Sequence, residues 1–310
     1  MYINSFCSIT SAGIINQYSA TKELQPLKAA KVLIVEPDYK DLIAPMQLRR
    51  MSKPIRTGVA AAKLCMQSHH NFMPASIHVG TAYGMLDDSE IFLKKMLEQE
   101  EQMLNPTAFI QSTHNTVSGQ IALSIGCTAH NMTFVHNAHS FENALLDAAL
   151  FLNDMDDDGN ILIGAVEECT DTSYEIMKRF DVYSSTTAAG EGATFFALSK
   201  NKKTESIAKI SAFEIFKAKD ATMLEITLNN LTEKHEAAAG DLFIGGTDAS
   251  LSQSIFNSAE TYQQYSGKYA TMSAFGLAYA CLKLKESDKE KCWLLNQSGN
   301  YYSLISLSKI

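Results

Sequence analysis

The chain has 310 residues, 46% of them hydrophobic and 19% charged, with a formal net charge of −8. That is the composition of an ordinary globular protein, with material for one large core or two halves of about 150 residues each. The acidic balance argues against nucleic acid and anionic membrane surfaces as partners; no apolar run is long enough to cross a bilayer, and the N-terminal stretch, whose first basic residue is Lys22, lacks the basic flank of a signal peptide, so a cytoplasmic location is expected.

Tyr2 to Ile9 reads as a first strand, and Thr10-Ser11-Ala12-Gly13 as the turn that leaves it. The segment Pro26 to Val35 ends in an apolar run. Arg49, Arg50, Lys53 and Arg56 then form a basic cluster, which suits either the solvated start of a helix or a landing place for an acidic partner. Ala61 to Met66 is expected to be helical, and Ala75 to Gly84 to be a buried strand closed by a glycine turn. The pattern from Asp87 to Leu104 has acids at its start and apolar residues at helical intervals, until Asn105-Pro106 stops it.

Met132 to Val135 is a short strand-like run, followed by Phe141, Ala144, Leu145, Ala148, Ala149 and Leu152 at helical spacing. A strand that hands over to a buried helix through a tight bend presents the bend residue, around His139, at the helix N-terminus, where the amides favour negative charge. The run Asp154 to Gly159 invites a calcium-loop reading, but the twelfth loop position falls on Ala165 and not on the required glutamate, so a polar turn is expected.

Strands are predicted over Ile161 to Glu168 and over Thr194 to Leu198 behind a Gly190-Glu191-Gly192-Ala193 turn. The polar stretch Ser199 to Ser206 reads as a linker, which divides the chain into halves at 1–200 and 206–310. The second half is predicted to contain a strand over Ile207 to Phe216, a helix over Thr222 to Lys234, a strand Leu242 to Ile244 ending at Gly245-Gly246-Thr247, and a helix over Ala249 to Ala259. A small-residue helix from Ser273 to Leu284 and a hairpin of Cys292 to Leu295 with Tyr301 to Leu307 complete it. Alternating strands and helices in both halves indicate an α/β layered protein. The six cysteines are scattered with no CxxC pair, so buried free thiols are expected, and neither a metal nor a cofactor.

The bend Asn137-Ala138-His139-Ser140, the stretch Ile161-Leu162-Ile163-Gly164-Ala165-Val166-Glu167-Glu168 and the Gly190-Glu191-Gly192-Ala193 turn occur in the order found in β-ketoacyl synthases, which the chain resembles. The resemblance implies a thiolase-like five-layered αβαβα fold of two similar halves. In that family a Thr-Ala-Cys-Ser-Ser run carries the cysteine nucleophile on the elbow; here His139 stands in its place. The family's two histidines sit in His-Gly-Thr-Gly-Thr and Lys-x-x-x-Gly-His runs. On this chain those runs match Gly245-Gly246-Thr247-Asp248 and Lys268 to Ser273, with Gly245 and Ser273 at the histidine positions.

A condensing enzyme needs a thiolate to hold the acyl chain and donors to stabilise an enolate oxygen. Glycine donates nothing, serine is a weaker donor, and an acyl-imidazole on His139 would hydrolyse before a second substrate arrived. The combination resembles the chain-length factors, and in wording those of aryl polyene and related polyene or polyketide pathways. The resemblance implies a heterodimer with an active β-ketoacyl synthase subunit, or a homodimer, with an acyl carrier protein as a further candidate partner. Met132, Thr133 and Val135 are the expected interface; His114, Phe134, His136, Phe141 and Lys268 are the expected pocket or tunnel residues. The competing readings are an acyltransferase or decarboxylase using His139 as general base, helped by His136 or His114, and a homodimeric scaffold.

Overall fold

The computed structural model describes residues 1–69, 72–156, 158–183, 187–238, 240–246 and 260–310. Its strands are β1 (Tyr2–Thr10), β2 (Gly13–Asn16), β3 (Ser76–Gly80), β4 (His130–Phe134), β5 (Asn160–Glu167), β6 (Gly192–Ser199), β7 (Ala208–Lys217), β8 (Leu242–Gly245), β9 (Glu260–Thr261), β10 (Lys291–Ser298) and β11 (Tyr301–Ser308). They form one sheet path in the order β4-β3-β5-β6-β1-β7-β11-β10-β8-β9, with β2 folded back on β1.

Counted outward from the middle, the two sides have the same construction. The first reads β1-β6-β5-β3-β4 and the second β7-β11-β10-β8-β9. Pairing sense repeats as well: β5 and β4 run parallel to β3, and β6 is antiparallel to both β5 and β1. On the other side β10 and β9 run parallel to β8, and β11 is antiparallel to both β10 and β7. The sides meet where Tyr2 and Ile3 pair with Lys209 and Ala208.

The principal helices are α1 (Lys53–Gln67), α2 (Leu86–Glu98), α3 (Pro106–Gln111), α4 (Thr116–Ile125), α5 (Ser140–Asp154), α6 (Asp171–Arg179), α7 (Ala221–Lys234) and α8 (Ser273–Glu286). Strand side chains alternate between two faces, and the layering follows from where each face goes. Ile161, Ile163 and Ala165 of β5 join α5 and α8 in a central core, while Leu162 and Val166 join α1 and α4 in an outer one. Cys292 and Leu294 of β10 face the same central core, and Trp293 and Leu295 pack with Leu224 and Leu228 of α7. The result is helix, sheet, helix, sheet, helix: an αβαβα stack with α5 and α8 between the two sides of the sheet. Both faces of the inner strands are covered, so β5 and β6 are buried at every position.

Several elements differ from the sequence expectation. The helix predicted to reach Leu104 stops at Glu98, and the chain then turns through positive φ at Glu100, Glu101 and Met103; Glu98, Glu100 and Glu101 place like charge where the helix dipole is already negative. The strand predicted over Ala75 to Gly84 is only β3. The helix predicted from Ala61 begins earlier, at Lys53, behind Ser52, with Pro54 in its first turn. The helix α6 and the return strand β2 were not predicted. Ser199, read as the first linker residue, belongs to β6, and β7 beyond the turn pairs with β1. The helix expected over Ala249 to Ala259, with Thr247 and Asp248, lies outside the described residues.

The basic cluster is half consumed by ion pairs. Lys53 Nζ lies 2.8 Å from each carboxylate oxygen of the fully buried Glu191, and Arg56 holds Glu36 through Nε and Nη2. Arg49 and Arg50 remain exposed.

Candidate functional site

β4 passes into α5 through five residues, Val135 to His139. Asn137 takes φ +49° there, a left-handed conformation that asparagine tolerates better than most residues. Ser140 Oγ ties the bend, accepting from the His136 amide at 2.8 Å and donating to the Asn137 carbonyl at 2.7 Å. The helix start then rests on the end of β3, where a Cβ at Gly80 would fall 2.6 Å from the Phe141 amide nitrogen. Only glycine admits that approach. His139 occupies the N-cap position, 9% exposed, with no hydrogen-bond partner for Nε2. Desolvation holds its pKa below the usual imidazole range, so the ring is neutral near pH 7.

The second central helix, α8, starts at Ser273, which is 2% exposed. His139 and Ser273 both line one cavity of about 750 Å³, together with Lys268, Tyr269, Tyr262, Asn296, Tyr83 and Tyr183. The two halves therefore each bring the start of one central helix to the same space. Gly245 ends β8 beside this wall: its parallel partner is Leu295, and a Cβ on the next residue, Gly246, would lie 3.0 Å from Tyr262 Oη and 3.1 Å from Asn296 Oδ1.

Lys268 is held by backbone packing. Gly190 and Gly267 abut so closely that a Cβ on Gly190 would stand 2.2 Å from the Ser266 carbonyl oxygen. The Lys268 amide donates to Ala188 O at 2.7 Å, and the Gly190 amide donates to Lys268 O at 3.0 Å. Lys268 Nζ reaches the Val182 carbonyl at 3.2 Å, and burial lowers its pKa.

Under the cavity lies a buried carboxyl. Glu142, in the first turn of α5, is fully buried and accepts from Ser303 Oγ at 3.0 Å and Asn296 Nδ2 at 3.4 Å; Asn296 Oδ1 in turn accepts from Tyr262 Oη at 2.7 Å. Burial pushes the Glu142 pKa up to about 7, against the smaller opposing pull of its hydrogen bonds. Glu167, pushed by burial up to about 8, accepts from the amides of Ala82 and Tyr83 and so fixes the loop that carries Tyr83 to the cavity.

Of the expected pocket residues, Lys268 lies in the described cavity wall and four others do not. Phe141 is fully buried against Phe196, ring centroids 6.0 Å apart. Successive helical residues are turned by about 100°, so two positions beyond His139 the side chain points into the core. Phe134 is half-buried against that core. His136 is exposed on the outer side of the bend, and His114 is exposed with its ring over Gly84. The three histidines thus do not form one cluster. On the edge strand β4, Met132 is 42% exposed and Thr133 pairs its hydroxyl with Ser118 Oγ at 2.8 Å; Val135, just past the strand, is 43% exposed.

The sequence reading missed Met177, Val182 and Tyr183, which enter the cavity from α6 and the segment after it. The signal was present: Thr170 caps α6 by accepting from the Ser173 amide, Asp171 stands in its first turn, and Lys178 and Arg179 in its last. Tyr262 and Asn296 had no such signal. No cysteine is among the described lining residues, and all six are free and buried. Chemically the described lining offers a neutral imidazole, several phenols, three side-chain amides and one lysine, and no thiol.

A family model described as beta-ketoacyl synthase, N-terminal domain, matches residues 21–242. No curated protein matches the chain in sequence. Among solved structures it is similar to AntDE, a type II PKS ketosynthase in complex with its acyl-carrier protein AntF, with TM-score 0.82 and 16% identity over 100% of this chain and 99% of that one. The ishigamide ketosynthase/chain length factor gives TM-score 0.80 and 12% identity over 100% and 99%. The complex of the ketosynthase ApeO with its chain length factor ApeC from Xenorhabdus doucetiae gives 0.74 and 12% over 100% and 98%. At these identities the likeness establishes the thiolase-like fold.

Proposed function

Since the chain belongs to the β-ketoacyl synthase family, we propose that it is a non-catalytic, chain-length-factor-like subunit that pairs with an active ketosynthase in fatty acid or polyketide-type biosynthesis. One observation carries this reading: the helix start where the family's nucleophile is expected holds His139, and no cysteine is among the described residues lining the cavity around it. The position opposite, at the start of α8, holds Ser273 where a histidine is expected. Without a thiolate there is no thioester to hold the growing chain, and with Gly245 and Ser273 in the histidine positions the enolate loses its two imidazole donors. Each such donor contributes roughly 10²- to 10³-fold in turnover.

In this reading the edge strand β4 with Met132 and Thr133, and Val135 just past it, meets the partner subunit, and the tyrosine-lined cavity bounds the acyl chain. Relatives whose names give a ketosynthase with a chain length factor, one in the ishigamide system and one from Xenorhabdus doucetiae, make the pairing the natural expectation, and an aryl polyene or related polyene product is the pathway we favour. Residues 1–200 and 206–310 are proposed as the two ketosynthase-like halves. The test is condensation of acyl and malonyl carrier thioesters by the purified chain, alone and co-expressed with a ketosynthase containing an intact cysteine and histidine set. No product alone, and product together with co-purification, is expected. Robust product from the chain by itself refutes the proposal.

A second reading rests on the free Nε2 of a neutral imidazole at the cavity: His139 as general base in a stand-alone acyltransferase or decarboxylase. His139→Ala separates the two, because a base is lost with its side chain whereas a wall tolerates the change.

A further inference from the structure

About two turns along α5 from His139, on a different part of the surface, the helix carries Asp147. Its carboxylate Oδ2 lies 2.8 Å from Nδ1 of His78 on β3 and 3.9 Å from Nε2 of His130, the first residue of β4. All three donor atoms fall within 4.8 Å of one another. We propose that His78, His130 and Asp147 form a binding site for a divalent transition-metal ion, with zinc the best match to two imidazoles and a carboxylate.

The local construction suits a metal. His78 is fully buried, and its other ring nitrogen is 2.7 Å from Ser76 Oγ, a hydroxyl able to accept the ring proton when Nδ1 gives its lone pair to an ion. His130 is stacked on Phe151, centroids 5.2 Å apart, which fixes the ring plane while leaving an edge open to solvent. Asp147 is 35% exposed, so an ion can enter without unfolding anything. Tetrahedral zinc at about 2.0–2.1 Å from each donor places donors about 3.4 Å apart. The observed spacings reach this through small movements of His130, sliding within its stacking plane, and of the half-buried Asp147, with water in the fourth position.

These ligands come from β3, β4 and α5, with α2, α3 and α4 between the first two along the chain, which is why no ligand spacing is visible in the sequence. A bound ion would clamp the edge strand β4 and the helix α5 to β3, on the side of the molecule proposed to meet the partner.

The test uses full-length protein stripped of metal with a chelator and titrated with Zn²⁺ by calorimetry, with Co²⁺ as a spectroscopic probe. One equivalent is expected to bind, and Co²⁺ should show visible absorption of low-coordinate geometry. His130→Ala changes an exposed side chain, and Asp147→Asn keeps the size of a half-buried one and an oxygen for His78, so the fold is kept. Each is expected to weaken binding by at least about 100-fold, since loss of partners behind the ligands alone costs 10- to 100-fold. His114→Ala is the control for surface histidines and should bind as the wild type does. Absence of binding to the wild type, or binding unchanged in both His130→Ala and Asp147→Asn, overturns the proposal.

Discussion

Glu142→Gln keeps the size of the buried side chain and removes its proton equilibrium. In the folded chain burial raises the Glu142 pKa to about 7 from an ordinary 4.5, so the native state binds this proton more tightly than the unfolded state does. The stability contributed is complete below about pH 4.5 and is lost as the pH rises through about 7. Raising the pKa from 4.5 to about 7 corresponds to about 3 kcal/mol in all, roughly three quarters of it lost between pH 5 and 8. Glutamine keeps an oxygen for Ser303 and Asn296 but adds an amide donor, at a cost of about 1–3 kcal/mol that is the same at every pH. The difference in stability between variant and wild type is therefore expected to move in favour of the variant by about 2–3 kcal/mol from pH 5 to pH 8. Urea unfolding at four pH values across that range measures it, and other titrating groups cancel in the difference. A difference that stays constant with pH would show that Glu142 titrates as an ordinary carboxyl, and the buried network would then have been misread.

Gly190→Ala introduces a Cβ 2.2 Å from the Ser266 carbonyl, a backbone atom that cannot swing aside; a loss of about 3 kcal/mol in denaturant stability is expected, at the upper end of overpacking costs. Lys53→Met leaves the fully buried Glu191 with only the amides of Ile34 and Cys169, and about 3 kcal/mol should be lost. Arg50→Ala, at an exposed position, should change stability by less than about 0.5 kcal/mol in the same urea assay. Cys65, whose thiol burial pushes up to about 12, and Cys7, Cys281 and Cys292, raised further, should resist a thiol reagent at pH 8 in the native protein and react at once in denaturant.

Period and punctuation made much of the fold legible. The strand, bend and helix from Met132 to Leu152, the glycine turn before Thr194 and the hairpin around Ser298 to Asn300 are local, and they stand where expected. The candidate site was legible only at positions belonging to motifs. His139, Lys268 and Ser273 line one cavity, with Gly245 beside it. Its tyrosines and Glu142 are long-range neighbours whose meeting depends on how two central helices stack, and no spacing along the chain encodes that. Phe141 illustrates the limit: adjacency to His139 in sequence suggested a shared pocket, and the helical turn sends it the other way. The basic cluster is a second case, because Lys53 reads as a surface charge until Glu191 arrives from the far end of β5 and β6.

The contact of Gly190 with Gly267 is main chain against main chain, with no room for a side chain on either. Two distant sites in the gene thus behave as a single heritable character. Substitution at one cannot be rescued by trimming the other, because glycine has nothing left to trim, so drift is blocked at both together. Among descendants of this protein that retain the fold, both glycines should persist even where the residues around the cavity diversify.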